Sequence, residues 1–363
     1  METALGLPVA RIHPPHWILF GELGRVLVAG SLLISKTTCR VVLNMLVSSL
    51  HVTVWNVNGN LTLKIRDEGF IKFIMGSDVV FLQETWLRPS QEDSLLLPCG
   101  YLLVARSRPD DKSFGRQWGG IVALIRDDVP HSVVTDLSAP DLLVLNVHFG
   151  FLISAYLPPS GSYWNFWTNV DPEQRLQEAI AYCCASQENM VLLLGDLNAR
   201  TASKSSRSPR SPRLSSDPAC NSRGSRLLQW CSTNRLSILN GTTAERDSPG
   251  ALTSFQELGA SVVDYVITSA AHATWIHDCD MVVENGLWSD HSKISVKVML
   301  PPDVLCPDRA GVLLPPHLSL PPREHSYLDA SANPGNYGRY CRCCRCHRDL
   351  IDVKYVKGII EIW

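Results

Sequence analysis

The stretch "LLLGDLNAR", residues 192–200, runs three leucines directly into a glycine, an acid, a leucine and an amide. The leucines predict the end of a buried strand. Asp196 and Asn198 lie two positions apart, so an extended backbone directs both side chains to the same face, and Gly195 is expected to let the backbone approach a phosphate closely. A hydrogen-bonded turn is the simpler interpretation, because Asp and Asn side chains bond their own backbone. The other strand ends in the chain decide between a turn and a site.

Residues from about 51 to 300 alternate short apolar runs with polar turns. Three of the runs are "LHVTVWNVNG" (50–59), "DVVFLQETW" (78–86) and "VVDYVITS" (262–269). Apolar runs of this length predict strands, and stretches such as 171–187 between them predict helices. Strands with interposed helices indicate an α/β class. We therefore expect one folded domain at about 51–300.

The composition indicates a globular chain. It lacks the net positive charge that would favour binding of a polyanion. Of the 363 residues, 45% are hydrophobic and 8% are aromatic, and the formal net charge is -2. Any nucleic-acid site must therefore be local. The 12 cysteines are scattered through a long chain with no clear signal peptide, which favours a reducing, intracellular setting. The oligomeric state is left open.

Three segments depart from the strand pattern. Residues 1–50 are a leader of uncertain status, whose apolar stretch 17–35 is interrupted by charges and glycines; a non-core leader or a packing helix ranks above a membrane span. Residues 200–226 predict a flexible, basic, Ser/Pro-rich insertion, either a solvated loop or one that tracks a phosphate backbone. Residues 301–363 form a Pro-rich and Cys-rich tail that we place outside the core.

The tail carries four cysteines and a histidine within residues 341–347. This spacing is tighter than that of the paired cysteines in zinc folds. The cluster either binds a soft metal or belongs to translated non-coding sequence, and we prefer the second interpretation.

Polar residues recur at the ends of the apolar runs. Strand ends are where an α/β scaffold directs distant side chains into one crevice. Each residue alone has a structural explanation as a turn, a cap or a buried phenol. Six such strand ends in a fixed order favour a shared site. The candidate residues are Asn56, Glu84, Tyr156, Asp196, Asn198, Asp264, Asp290 and His291.

Oxygen donors dominate this set. Carboxylates and amide oxygens are hard ligands suited to Mg²⁺ or Mn²⁺, whereas residues 51–300 contain no His and Cys set with zinc spacing. Such an ion favours phosphate chemistry, because it polarises a phosphoryl oxygen and stabilises a departing alkoxide. If Asp264 holds the imidazole of His291, it fixes the tautomer and raises the pKa of that ring. Asn198 and Tyr156 then complete a phosphate clamp.

The order "WNVNG", "QET", "AYLPPSG", "GDLNAR", "VVDYV", "SDH" resembles the endonuclease/exonuclease/phosphatase superfamily, and within it the apurinic/apyrimidinic-endonuclease-like domain of non-LTR retrotransposon proteins. Residues 221–241, "NSRGSRLLQWCSTNRLSILNG", are similar to the helix and strand that follow the "GDxN" element in those domains. The resemblance implies a four-layered α/β sandwich, in which two mostly antiparallel sheets pack together and are flanked by helices. It also implies a Mg²⁺-dependent endonuclease that nicks DNA.

The resemblance implies a metal site of three residues. Glu84 matches the main metal ligand, Asn56 accompanies it, and Asp290 matches a second metal-site carboxylate. The ion implied is Mg²⁺ or Mn²⁺.

The same resemblance implies the catalytic residues. Tyr156 and Asn198 match phosphate contacts. Asp196 and His291 share the activation of the attacking water, and Asp264 orients His291.

Other functions of the same superfamily remain as alternatives. The inositol-polyphosphate phosphatases usually carry a Trp-x-Gly-Asp-x-Asn-[Phe/Tyr]-Arg element and a later Pro-x-Trp-x-Asp-Arg element. Here the first reads "LLGDLNAR", and the second, "GASVVDYV", has neither the tryptophan nor the arginine, so a phosphatase ranks below a nuclease. A catalytically inactive domain that binds nucleic acid or a protein is the main alternative. "PDDK" and "RDDV" do not resemble a reverse-transcriptase centre, so we expect an isolated or truncated endonuclease domain with DNA as its partner. The resemblance suggests a nuclear location.

Overall fold

The computed structural model describes residues 49–110, 117–205, 213–242, 250–282 and 287–300, together with five short strands outside them. The chain divides into two compact units, Val47–Gly335 and a smaller one made of Met1–Leu46 and Asn336–Trp363.

In the smaller unit, three short strands form an antiparallel sheet and two more form a hairpin. The rest of the predicted leader and tail, including the cysteines of 341–347, lies outside the described residues. The strands are Ala10–Arg11, Trp17–Phe20, Val26–Ala29, Lys354–Val356 and Ile359–Glu361.

The larger unit contains two six-stranded sheets and a short hairpin. Its described strands are β1 (Ser49–Asn56), β2 (Val79–Gln83), β3 (Tyr101–Arg106), β4 (Ile121–Arg126), β5 (His131–Val133), β6 (Leu142–Val147), β7 (Gly150–Ala155), β8 (Met190–Asp196), β9 (Leu236–Ile238), β10 (Ser254–Gln256), β11 (Gly259–Ser261), β12 (Asp264–Ser269), β13 (Ile276–Val282) and β14 (Lys293–Met299). Its described α-helices are α1 (Leu61–Lys64), α2 (Glu68–Ile74), α3 (Pro89–Glu92), α4 (Pro172–Cys183) and α5 (Ser222–Thr233), and 3₁₀ turns cover Thr135–Leu137, Trp164–Phe166 and Ala270–Trp275.

The two sheets have similar topologies. The first has the strand order β13-β14-β1-β2-β4-β3 and the second has the order β9-β12-β8-β7-β6-β5. One central pair is parallel in each, β1 with β2 and β7 with β8, and the other described pairs are antiparallel. The predicted sandwich of two mostly antiparallel sheets is confirmed.

Apolar side chains fill three layers of contact. The central layer joins the facing sides of the two sheets, as with Val54, Phe81 and Leu192. The outer face of the second sheet packs against α4 and α5, and the outer face of the first sheet packs against α1 and α2. Central strands are therefore buried on both faces, which explains why "MVLLLGD" is a continuous apolar run instead of an alternating one.

Gly195 makes room for a neighbouring side chain, and this differs from the predicted approach to a phosphate. Its φ is +140°, and a Cβ there would lie 2.1 Å from the carbonyl oxygen of Ala155 and 2.2 Å from Nε2 of Gln83. The glycine lets the Gln83 amide cross from the first sheet into the second. The sequence could not show this, because Gln83 is remote from Gly195 along the chain.

Part of the predicted flexible insertion, 200–226, is packed: Thr201, Arg213 and Asp217 are buried, whereas residues 203–205 are exposed. Arg200 Nε donates to Asp217 Oδ2 at 2.7 Å, and Asp217 also accepts the backbone N–H of Val262 at 3.2 Å. Arg213 is buried and donates to the backbone of Lys204. Residues 206–212 lie outside the described part. Asp217, the only acid in this basic stretch, ties it to the second sheet.

The described residues contain no helix that is both long and apolar enough to cross a membrane. Within the apolar stretch 17–35, the described parts are two short antiparallel strands.

We predict that Gly195→Ala lowers the free energy of unfolding by about 3 kcal/mol or more, because the new Cβ clashes with backbone and with the Gln83 amide. Gly259→Ala is the matched control, since Gly259 has a similar φ of +135° but no neighbour within 4 Å of a Cβ. It should cost about 1 kcal/mol. Urea denaturation of both variants measures the difference, and equal losses would show that the clash is unimportant.

Candidate active site

The predicted site residues lie where strands of both sheets end or begin. In the first sheet, β1 ends at Asn56, and Glu84 directly follows β2. In the second sheet, β8 ends at Asp196, and Asp264 begins β12 directly opposite it in the antiparallel register. The two sheets therefore bring residues that are far apart in sequence into one cluster.

One amide joins the acids of the two sheets. Asn56 Nδ2 donates to Glu84 Oε1 at 3.1 Å and to Asp196 Oδ2 at 3.0 Å. The amide oxygen of Asn56 accepts the backbone N–H of Asn58 at 3.0 Å, which fixes the orientation of the amide. Asn56 and Asp196 are buried, whereas Glu84 is half-buried. Two carboxylates thus converge on one buried point.

His291 is held between two acids. Its Nδ1 lies 2.9 Å from Asp264 Oδ2, and its Nε2 lies 4.0 Å from Asp196 Oδ2. Burial favours the neutral ring, but the charge and hydrogen bond of Asp264 outweigh burial and raise the pKa of His291 to about 10. Burial, followed by the charge of Asp264, also raises the pKa of Asp196. The predicted Asp264–His291 pair is therefore present, with the imidazole in its charged form.

Backbone contacts fix the position of His291. Trp55 Nε1 donates to the carbonyl oxygen of His291 at 2.8 Å. Ser289 accepts the backbone N–H of His291 at 3.0 Å and donates to the carbonyl of Asn56 at 2.6 Å. The histidine segment is thereby tied to the end of β1.

Thr253 supports Asp264 from the hairpin side. It is fully buried, and its Oγ1 accepts the backbone N–H groups of Val263 and Asp264, each at 3.0 Å. The neighbouring Ser254 Oγ lies 3.4 Å from His291 Nε2. These contacts hold the carboxylate that orients the histidine.

Tyr156 and Asn198 flank the acids. Tyr156 is buried, and its pKa is raised well above the usual value by burial, then by the charges of Glu84 and Asp196. Asn198 Nδ2 donates to the carbonyl of Leu157 at 2.9 Å and to Asp196 Oδ2 at 3.3 Å. Both side chains are adjacent to the predicted reaction centre, and their contact with a phosphate stays a prediction.

Asp290 lies on the outer side of the site. Its Oδ1 accepts from Asn58 Nδ2 at 2.9 Å and its Oδ2 from Gln256 Nε2 at 2.5 Å. Nearby, burial lowers the pKa of Lys64 to about 8, although the charge of Asp290 opposes that shift. Both Asp290 oxygens are thus engaged by protein donors, and its role as a metal ligand stays a prediction.

Gln83 was absent from the predicted site, although it belongs to the quoted "QET" motif. It is fully buried, and its Nε2 donates to Ser154 Oγ at 2.9 Å and to the carbonyl of Ala155 at 2.8 Å. Its Oε1 accepts the backbone N–H of Asp196 at 2.9 Å. The sequence signal that could have identified Gln83 is an uncharged polar residue at the end of an apolar strand.

A buried ion pair behind Tyr156 was also missed. Arg108 Nε donates to Asp141 Oδ2 at 2.7 Å, and the guanidinium stacks 3.6 Å above the ring of Trp167. Asp141 Oδ1 accepts the backbone N–H of Gly120 at 2.7 Å. Trp167 is thus engaged in packing against Arg108. No local pattern marks this pair.

The arrangement fits a hard divalent cation. Among the described residues, Asp196, Asp264 and His291 can place one potential ligand atom each within 4.8 Å of one another. Asp264 occupies Nδ1 of His291, however, so this trio is better suited to proton transfer. Glu84 and Asp196 present hard carboxylate oxygens, the ligand type that Mg²⁺ or Mn²⁺ prefers. Asn56 turns its amide nitrogen towards them, so its role as a metal ligand stays a prediction.

Comparisons with known proteins identify the family and a similar fold. The sequence model described as the Endonuclease/Exonuclease/phosphatase family matches residues 53–291. The AP endonuclease LMAP from Leishmania major is similar in structure, with a TM-score of 0.52 at 15% identity over 70% of this chain and 89% of that chain. The endonuclease domain of TRAS1, a telomere-specific non-LTR retrotransposon, gives a TM-score of 0.48 at 15% identity over 69% and 99%. No curated protein gives a significant match. The similarity to LMAP supports the fold.

We predict that His291 stays protonated through pH 8 in the metal-free protein. The substitution Asp264→Asn should lower the pKa of His291 by about two pH units, because the neighbouring charge is lost while burial remains. An NMR titration of the imidazole nitrogens in EDTA measures both values. His272, whose pKa burial lowers, is the internal control and should titrate identically in both proteins. A His291 that titrates near its ordinary value in the wild type would contradict the coupling.

Proposed function

The chain belongs to the endonuclease/exonuclease/phosphatase family, and we propose that it is a metal-dependent phosphodiesterase that nicks DNA. One observation carries the proposal. Glu84 and Asp196, from different sheets, converge on the Asn56 amide beside the Asp264–His291 pair. Such a site supplies a cation ligand, a base and a charged hydrogen-bond donor within one cluster. These are the groups that metal-dependent phosphodiester hydrolysis needs.

DNA is the substrate class that the motifs favour. The order of strand-end motifs and the segment 221–241 resemble retrotransposon endonuclease domains, and "GASVVDYV" lacks the tryptophan and arginine of the second phosphatase element. LMAP, which shares the fold, is described as an AP endonuclease. We therefore propose a nuclease descended from a non-LTR retrotransposon.

In this proposal Glu84 is the main metal ligand, and Asn56 and Asp290 are the further ligands. When bound, Mg²⁺ or Mn²⁺ supplies polarisation of a phosphoryl oxygen and stabilises the leaving alkoxide. Glu84 fits this role because its carboxylate is half-buried and lies beside the Asn56 amide and, at 3.4 Å, the indole of Trp86.

Asp196 and His291 divide the proton chemistry that the sequence left shared between them. Asp196 is the proposed acceptor of the proton of the attacking water, because its carboxylate lies beside the Asn56 amide and 4.0 Å from Nε2 of His291. His291 is already protonated, so it donates a charge-assisted hydrogen bond from Nε2 to a phosphoryl oxygen. Asp264 keeps Nδ1 occupied and directs Nε2 towards the phosphate.

Tyr156 and Asn198 complete the proposed phosphate clamp. The raised pKa of Tyr156 keeps its hydroxyl protonated and able to donate. The Asn198 amide lies beside Asp196. The expected product is a nick that carries a 3′-hydroxyl.

We predict that Glu84→Gln and His291→Ala each lower the rate of plasmid nicking in Mg²⁺ by at least about a hundredfold. The first removes the cation ligand without changing shape, and the second removes the charged donor. The conversion of supercoiled to open-circular plasmid measures both rates. Glu188→Gln, at an exposed glutamate outside the site, should nick at the wild-type rate.

Two results would contradict the proposal. One is a wild-type protein that does not nick DNA in Mg²⁺ or Mn²⁺. The other is undiminished nicking by both site variants. Salt-sensitive DNA binding that survives in a protein without nicking would instead indicate an inactive binding domain.

A further inference from the structure

Two tryptophans extend the site on the side of Glu84. Trp86 Nε1 lies 3.4 Å from Glu84 Oε2. The ring of Trp118 meets the ring of Trp86 edge-on, with centroids 5.2 Å apart and planes at 61°. Trp118 is 40% exposed. An aromatic pair therefore runs from the proposed metal ligand to the protein surface.

The backbone holds this pair in an uncommon conformation. Glu84 has a φ of +49° and Trp86 a φ of +55°, values that bulky side chains rarely adopt and that cost free energy. The ring of Trp86 lies against Gly59, where a Cβ would be only 2.1 Å from the ring. The indole is thus held beside the carboxylate by its own backbone conformation and by the contact with Gly59.

The segment that carries Trp118 is fixed on both sides. Trp86 N donates to the carbonyl of Gly119 at 2.9 Å, and Gln117 Nε2 donates to the carbonyl of Arg108 at 2.6 Å. The Arg108 side chain packs directly against Gly119, where a Cβ would lie 2.3 Å from Nε. Trp118 is therefore a preorganised aromatic side chain, and little ordering is needed when it binds a ligand.

The contrast with Trp55 shows that Trp118 is not placed for the core. Trp55 is buried against Phe70 and Phe73. Trp118 is instead partly exposed, and its ring contacts Trp86, whose indole lies beside Glu84. A flat aromatic surface beside a phosphodiester site matches one ligand chemistry, a nucleobase, because every base offers a π-face for stacking.

We infer that Trp118, supported by Trp86, is a stacking site for one unpaired nucleobase next to the scissile phosphate. This inference rests on the proposed nuclease function and specifies its substrate as DNA that is locally unpaired beside the nick. Within a paired duplex both faces of a base are already stacked on neighbouring bases, so an indole gains contact only with an extrahelical or unstacked base. The pair thereby selects DNA structure instead of a base sequence.

The test compares two short DNA duplexes in EDTA, so that binding is measured without cleavage. One carries a single extrahelical thymidine, and the other carries an extrahelical abasic residue at the same position. The wild type should bind the thymidine duplex about fivefold to a hundredfold more tightly. Trp118→Ala should abolish this preference and leave the affinity for the abasic duplex unchanged. Fluorescence anisotropy measures all four affinities.

Two variants make the result specific. Trp118→Phe retains an aromatic face and should keep most of the preference. Tyr182→Ala changes an equally accessible ring, 37% exposed on α4, and should behave as the wild type. The slope of log affinity against log salt should be the same for Trp118→Ala and the wild type, because stacking releases no counterions. Unchanged binding of the abasic duplex reports that Trp118→Ala is folded.

Three results would overturn the inference. They are equal binding of both duplexes by the wild type, equal losses on both duplexes in Trp118→Ala, and no binding of either duplex by the wild type. The outcome is separable from that of the proposed function. Base-dependent binding in a protein that never nicks plasmid refutes the nuclease alone, whereas nicking by a protein without base preference refutes the stacking site alone.

Discussion

The buried amide of Gln83 is the interaction on which the site depends. It leaves the end of β2 in the first sheet and bonds Ser154, Ala155 and Asp196 in the second. A buried amide without partners costs free energy, so the two sheets are held in the one arrangement that satisfies it. Gly195 lacks the side chain that would block this crossing. The Glu84 and Asp196 carboxylates meet because Gln83 fixes the strand ends that carry them.

The parts of the site that the sequence predicted are those that strand ends dictate. Asp196, Asp264 and His291 each stand at the edge of an apolar run, and the structure brings them together with Asn56 and Glu84. The α/β class followed from the spacing of the runs. The pairing of the sheets came only from the resemblance to a family, because strand order depends on contacts between residues far apart in the chain.

The parts that sequence reasoning missed depend on remote partners. Arg108 pairs with Asp141 across 33 positions, and neither residue stands in a recognisable local pattern. Arg200 and Asp217 pair within a segment whose composition resembles a solvated loop, yet Asp217 connects that segment to the folded domain by accepting the backbone N–H of Val262. Composition reports average polarity, whereas burial is decided by whether each charge finds a partner.

The central claim is that the two sheets together create one cation-binding catalytic centre at Glu84. Anomalous X-ray scattering from crystals of the protein soaked in Mn²⁺ tests this claim most directly. We predict an anomalous peak within ligand distance of the Glu84 carboxylate, beside Asp196, in the wild type. The Glu84→Gln variant should lack this peak. A wild-type crystal with manganese bound elsewhere and no peak at Glu84 would contradict it.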